Sequence, residues 1–280
     1  MFKYNFVNST VTLFAAIWFM YGYKDIFFDE NMMILLPILL FMAALVHTVK
    51  AGRLYLALYG SNMKLRAYLK TYCKVTPITM ILPFKIGEFF RMYCYGKQIG
   101  NVLSGVIVIL LDRFMDTMAL VTVMIFIWMF GGGKPSVFAY ILLIFLVFVL
   151  LMYYVFPEIY KFWKMYLLRA KASVKKLWIL KLLEILEVVY REIENVTKGC
   201  GIILYFMSLI AWGIEIGSAI IIYGMMNGSD LNLMLSRYLA TAMIGSQSME
   251  LNRFVFASVI VFIIFYLVLK VYEIIVRKKA

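Results

Sequence analysis

Charge is scarce in this chain of 280 residues: Asp, Glu, Lys and Arg make up 15% of it, against about 25% in a soluble domain. No polar block is long enough for a separate soluble domain, so one membrane domain over 1–280 is expected. Histidine occurs once, as His47, and cysteine three times, as Cys73, Cys94 and Cys200. They are far apart and form no C-x-x-C pair, which argues against a zinc site or a Cys/His nucleophile and implies neither a metal nor a disulfide. The thiols read as structural, and His47, ending an apolar helix, as interfacial. No cofactor signature is present. No DDxxD or HD cluster exists, so a membrane phosphotransferase is a minor alternative and the chain is not expected to be an enzyme. Aromatic and basic residues do not interleave on a soluble module, which excludes nucleic acid as the natural partner of the +13 net charge. The N-terminus lacks a small-x-small cleavage site, because Trp18, Phe19, Met20 and Tyr21 stand there; it reads as a first transmembrane helix.

Apolar residues are abundant instead, at 65% with a mean hydropathy of +0.91. The fold class is therefore an all-α polytopic membrane protein. Six full spans fit, at 6–23, 32–49, 102–130, 136–156, 201–226 and 254–276, each near the roughly 20 residues a bilayer core needs. Two further apolar segments, 64–95 and 233–250, are interrupted. Six basic residues and no acid lie in 50–74: Lys50, Arg53, Lys64, Arg66, Lys70 and Lys74. Nine basic and five acidic residues lie in 157–200. Basic loops face the cytoplasm, which places both termini there, in the cell membrane.

Residues 50–74 and the start of the 102–130 helix must then share a side, so 75–95 enters and leaves by one face as a re-entrant hairpin. Pro77 and Pro83 are expected to break it, and Gly87 to permit its bend. Residues 233–250 are either re-entrant or external. The plan of 1–130 repeats upside down in 135–280, as in the inverted repeats of secondary transporters, although the halves share no obvious identity. The stretch 157–200 has helical periodicity with Lys and Arg on one face. It reads as a basic connecting helix pair, or as an amphipathic segment at the cytoplasmic interface.

Six charges interrupt the apolar runs 81–93 and 102–130: Lys85, Glu88, Arg91, Asp112, Arg113 and Asp116. Each costs about 2.5–3.5 kcal/mol near mid-bilayer, so six unpaired ones would cost on the order of 15–20 kcal/mol. Three are cations and three carboxylates, a balance expected of paired groups around a polar cavity. Asp112 and Asp116 share a helix face at i, i+4, and Arg113 lies three before Asp116. Two readings stand: a salt-bridge network pinning the hairpin to the helix, and a polar site for a charged headgroup, with Lys85, Arg91 and Arg113 toward phosphate oxygens. Glu215 lies near the centre of a later span. Alone, it is a proton-coupling candidate, because desolvation disfavours a buried charge; alternatively it pairs with Arg237 or Arg253. Glu250 is a weaker second-half counterpart of Glu88.

The run 83-PFKIGEFFR-91, followed by 112-DRFMD-116, resembles the membrane region of lysylphosphatidylglycerol synthases, a flippase-like transmembrane family that also occurs alone and beside glycosyltransferases. The match falls on Pro83, Lys85, Gly87, Glu88 and Arg91, then on Asp112, Arg113 and Asp116. Lys85 replaces the usual Arg and Asp112 a common Glu; the family's glycine-rich second-half run survives only as 244-IGSQSME-250. The resemblance implies a domain that moves polar-headgroup lipids between leaflets: an aminoacylated phospholipid, or a lipid-linked sugar or polyprenyl phosphate. The partners it implies are membrane lipids and a glycosyltransferase or lipid-modifying enzyme. The alternative is a non-transporting membrane subunit of such an enzyme.

Overall fold

The computed structural model describes residues 2–27, 30–61, 63–82, 86–131, 137–169, 173–225, 238 and 249–279. Regular structure among them is helical. The order is α1 (Phe2–Gly22), α2 (Lys24–Phe27), α3 (Glu30–Ala57), a 3-10 turn (Tyr59–Ser61), α4 (Leu65–Ile81), α5 (Ile86–Ile99), α6 (Val102–Gly131), α7 (Val137–Arg169), α8 (Val174–Met225) and α9 (Met249–Lys279). Stretches of α3, α7, α8 and α9 are long and apolar enough to cross a membrane. The 30-residue α6 is also apolar, but it carries Asp112, Arg113 and Asp116.

The segment 64–95 is a helical hairpin. At 1.5 Å per residue α4 and α5 rise about 26 and 21 Å, less than the roughly 30 Å of a bilayer core. Pro77 does not break α4, contrary to expectation; the helix runs through it to Ile81, since an interior proline removes one hydrogen bond and more often kinks than ends a packed helix. The chain turns extended at Leu82, whose N–H still bonds Ile78 O at 3.1 Å. Pro83 and Lys85 lie outside the described residues. Gly87 is not the bend either. It is buried in the first turn of α5, where a Cβ would stand 2.4 Å from Thr79 Cα. Its lack of a side chain lets the two helix backbones touch. A second close approach joins α5 to α6: a Cβ on Gly105 would lie 2.4 Å from Gly96 Cα. The short connection between them uses Gly100 at φ +82, then Asn101, whose Oδ1 accepts from the N–H of Leu103 at 3.0 Å and caps α6.

Packing joins these elements around continuous apolar cores. One lies among α1, α3, α4 and α9, with Leu39, Val46, Val75 and Ala257 fully enclosed. Another joins α3 to α4, α5, α6 and α8 through Leu54, Tyr68, Tyr95, Ile109 and Leu204. His47 belongs to this interior rather than to an interface: it is buried in mid-α3, its ring centroid 4.5 Å from that of Phe262.

The stretch 157–200 is not a loop. Both α7 and α8 continue through it, α7 carrying Pro157 inside the helix. The pair thus continues, as helix, the stretches of α7 and α8 that are long and apolar enough to cross a membrane. Apolar residues on its inner face explain the continuity, because Tyr160, Leu167 and Leu183 bury against one another. The counterpart segment 233–250 is described only at Tyr238 and from Met249 on, so the choice between a re-entrant and an external segment falls outside the described residues.

Candidate functional site

Three helices converge on a set of charges. On α3, Arg53 is buried and donates from Nε to Asp112 Oδ1 at 2.8 Å. Its Nη1 donates to Asp116 Oδ1 and to Ser208 Oγ, both at 2.6 Å. The i, i+4 spacing on α6 brings the two aspartates to one guanidinium fork, which is the geometry arginine serves and lysine does not. Ser208 passes its own proton to Leu204 O at 2.9 Å. Trp212 Nε1 donates to the Asp116 carbonyl at 3.2 Å.

The hairpin helix α5 closes the set. Arg113 Nη2 stands 2.9 Å from Glu88 Oε1 and Nη1 is 3.9 Å from Asp116 Oδ2. Arg91 lies between Glu88 Oε2 at 3.8 Å and Asp112 Oδ2 at 3.6 Å. The contacts run Glu88, Arg113, Asp116, Arg53, Asp112, Arg91 and back to Glu88: a ring of six alternating charges with no net charge.

The ring is uneven in two ways. Arg53 makes true hydrogen bonds, whereas both contacts of Arg91 exceed hydrogen-bond length. Among the described residues Arg91 Nε, Glu88 Oε2 and Asp112 Oδ2 are buried with no hydrogen-bond partner. Exposure is uneven as well: the Arg113 side chain is 41% exposed and Glu88 18%, against 3% for Arg53 and 1% for Asp112. One edge of the ring is therefore closed and the other open.

A second pair lies beside it. Lys50, one turn before Arg53, stands 2.9 Å from Glu215 Oε2, and its ammonium lies 5.4 Å from the Trp212 ring centroid. The Tyr238 hydroxyl donates to Glu215 Oε1 at 3.1 Å. Glu215 is thus not alone, which removes the premise of the proton-coupling idea; its oxygens accept from Lys50 and Tyr238. Arg253 is buried in α9. Arg237 lies outside the described residues, as does the side chain of Glu250.

Of the six charges the sequence singles out, five meet in the ring and Lys85 lies outside the described residues. Arg53 and Lys50 were missed because their charge was counted with a basic loop; α3 runs two turns further than expected. A signal was present: Asp112, Asp116 and Glu215 needed cations, and Lys50 and Arg53 stand at i, i+3, on one face of a helix that enters the apolar core.

A search of curated proteins and one of solved structures gave no match. A family model does match, and it covers residues 10–249, including every member of the ring. On that match, the chain belongs to the family of the lysylphosphatidylglycerol synthase TM region.

Proposed function

We propose that the chain is a flippase-like transporter that moves a polar-headgroup lipid between leaflets, with the charge ring as its headgroup site and no catalytic step of its own. Membership of a lipid-synthase membrane family supports a lipid-related role. The observation that carries the finer reading is the unevenness of the ring. A purely structural network would satisfy its buried groups, since each buried unsatisfied polar group costs about 1–3 kcal/mol. Here the Arg53 pairs are tightly bonded, while Arg91 and the carboxylate oxygens facing it are slack although buried, beside the exposed Glu88–Arg113 edge. The slack half offers guanidinium donors to phosphate oxygens and carboxylate oxygens to an amine. Arg113 and Lys50 are the more exposed partners of their pairs, so a lipid phosphate meets cations first. Acyl chains stay in the bilayer, and only the headgroup needs the polar path.

Transport in proteoliposomes tests this. Fluorescent phosphatidylglycerol, lysyl-phosphatidylglycerol and a polyprenyl-phosphate lipid are offered to wild type, Glu88→Gln and Arg113→Ala. Wild-type transport of at least one lipid, lost in both variants while they remain folded in detergent, is the expected result. Absence of transport for every lipid, with both variants merely unstable, refutes the site and favours a non-transporting subunit of a lipid-modifying enzyme or glycosyltransferase.

A further inference from the structure

The outer face of the α7–α8 hairpin is a surface that the ring does not explain. Its two arms hold each other: Phe156 and Tyr190 stack at 5.0 Å, the Tyr160 hydroxyl donates to Glu187, and Lys164 Nζ donates to the Tyr160 oxygen at 2.7 Å. The hairpin is therefore built, not a loose connection. Along α8 the bundle begins near Glu192, which accepts from Ser104 Oγ at 3.3 Å. Upstream of that point Trp163, Tyr166 and Leu168 on α7, and Leu177, Trp178 and Leu182 on α8, are all exposed. Between 159 and 183 the sequence has seven cations and no carboxylate.

Large apolar side chains in that number need a cover. A second copy of the hairpin would set seven cations against seven, which like-charge repulsion opposes. The exposed apolar surface of α7 is also continuous, from Tyr140 through Leu151 to Leu168, and the membrane-competent stretch itself extends to Arg169. What covers the first part of that surface is lipid, and the same surface then acquires tryptophan, tyrosine and lysine. That combination suits the boundary between acyl chains and anionic headgroups. We propose that the two described arms of this hairpin, residues 159–169 and 173–183, bed their outer face in the headgroup layer of an anionic leaflet. The occupant is phospholipid carrying net negative charge, recognised by lysine ammonium groups between apolar and aromatic anchors.

The test uses the full chain in nanodiscs of phosphatidylcholine alone or mixed with phosphatidylglycerol. A Leu177→Cys variant, with Cys200→Ser to remove the partly exposed thiol, carries an environment-sensitive fluorophore; headgroup-borne nitroxide lipid is the quencher. Quenching should be several-fold greater in the anionic discs. Salt should reverse most of the difference, because at about 1 M the screening length falls to about 3 Å. Adding Lys175→Glu, Lys176→Glu and Lys181→Glu should abolish it while leaving the melting temperature unchanged. Equal quenching in both lipids overturns the proposal. So does shielding that appears only in discs holding two copies, which would make the face a self-association surface, or only on adding an acidic soluble protein.

Discussion

Arg53 ties α3 to α6 and Arg113 ties α6 to the hairpin helix α5, yet burial makes opposite things of them. Arg53 is enclosed with two aspartates on its fork. Removing it leaves those buried carboxylates only the long contacts to Arg91 and Arg113, and breaking a buried pair costs about 3–5 kcal/mol. Arg53→Met should therefore lower the detergent unfolding midpoint sharply, and Arg53→Lys should recover part of the loss, since charge returns without the bidentate fork. Arg113 is 41% exposed, and exposed pairs contribute about 0–1 kcal/mol. Arg113→Gln should melt close to wild type and still lose lipid transport. Equal destabilisation by the two substitutions would mean that the ring is structural throughout. This scale was half legible in the sequence. Asp112, Arg113 and Asp116 stand out because a charge inside an apolar run announces itself. Arg53 and Lys50 do not, because a cation at the end of a span is the ordinary mark of a cytoplasmic loop. Only the partners on α6 and α8 distinguish the two cases.

At the scale of elements, glycines decide how the hairpin meets its neighbours. A methyl on Gly87 or Gly105 would meet backbone at 2.4 Å, and backbone has no rotamer into which to retreat. Overpacking of this kind costs about 1–3 kcal/mol. Gly87→Ala and Gly105→Ala should lower thermal stability and, by moving α5, weaken transport together with it. Gly213, in the apolar second half of α8, has nothing within 4 Å of a built Cβ, so Gly213→Ala should hold or raise stability, by up to about 1 kcal/mol from helix propensity alone. Similar losses at all three positions would refute close helix approach as the reason for these glycines. The sequence marked Gly87 but gave it the wrong task, because a glycine after a proline suggests a turn whether or not the turn is there. The extent of α8 was equally hard to read. Its first half is charged and its second apolar, so composition divides what hydrogen bonding leaves as one helix of 52 residues, roughly 78 Å at 1.5 Å per residue.

For the whole molecule the charge ring cancels to zero, so the +13 net charge is carried outside it, in 50–74, in the hairpin and at the C-terminus. If the positive-inside tendency governs insertion, those three regions share one side, and the short link after α1, with Lys24, Asp25, Asp29 and Glu30, lies on the other. Pairing of Lys50 and Arg53 with carboxylates of α8 and α6 removes two of the six cations counted for 50–74, leaving Lys64, Arg66, Lys70 and Lys74, still without an acid. The bias therefore survives the correction, because the tendency depends on cations near the ends of spans and not on those paired within them. Single cysteines at Lys24, Lys64, Lys176 and Lys279, in a Cys200→Ser background, test it with an impermeant maleimide on intact cells. Lys24→Cys should label, and the other three only after the membrane is opened. Labelling of Lys176→Cys from outside would place the basic hairpin on the far leaflet and invert α7 and α8 relative to the ring. The α3 contacts make that inversion costly: Arg53 reaches Ser208, and Lys50 reaches Glu215 further along the same helix. The order along α3 runs opposite to the order along α8. The two helices are thus antiparallel, so with only the α4–α5 hairpin, α6 and α7 between them, the end of α3 at Ala57 and the start of α8 at Val174 fall on one side.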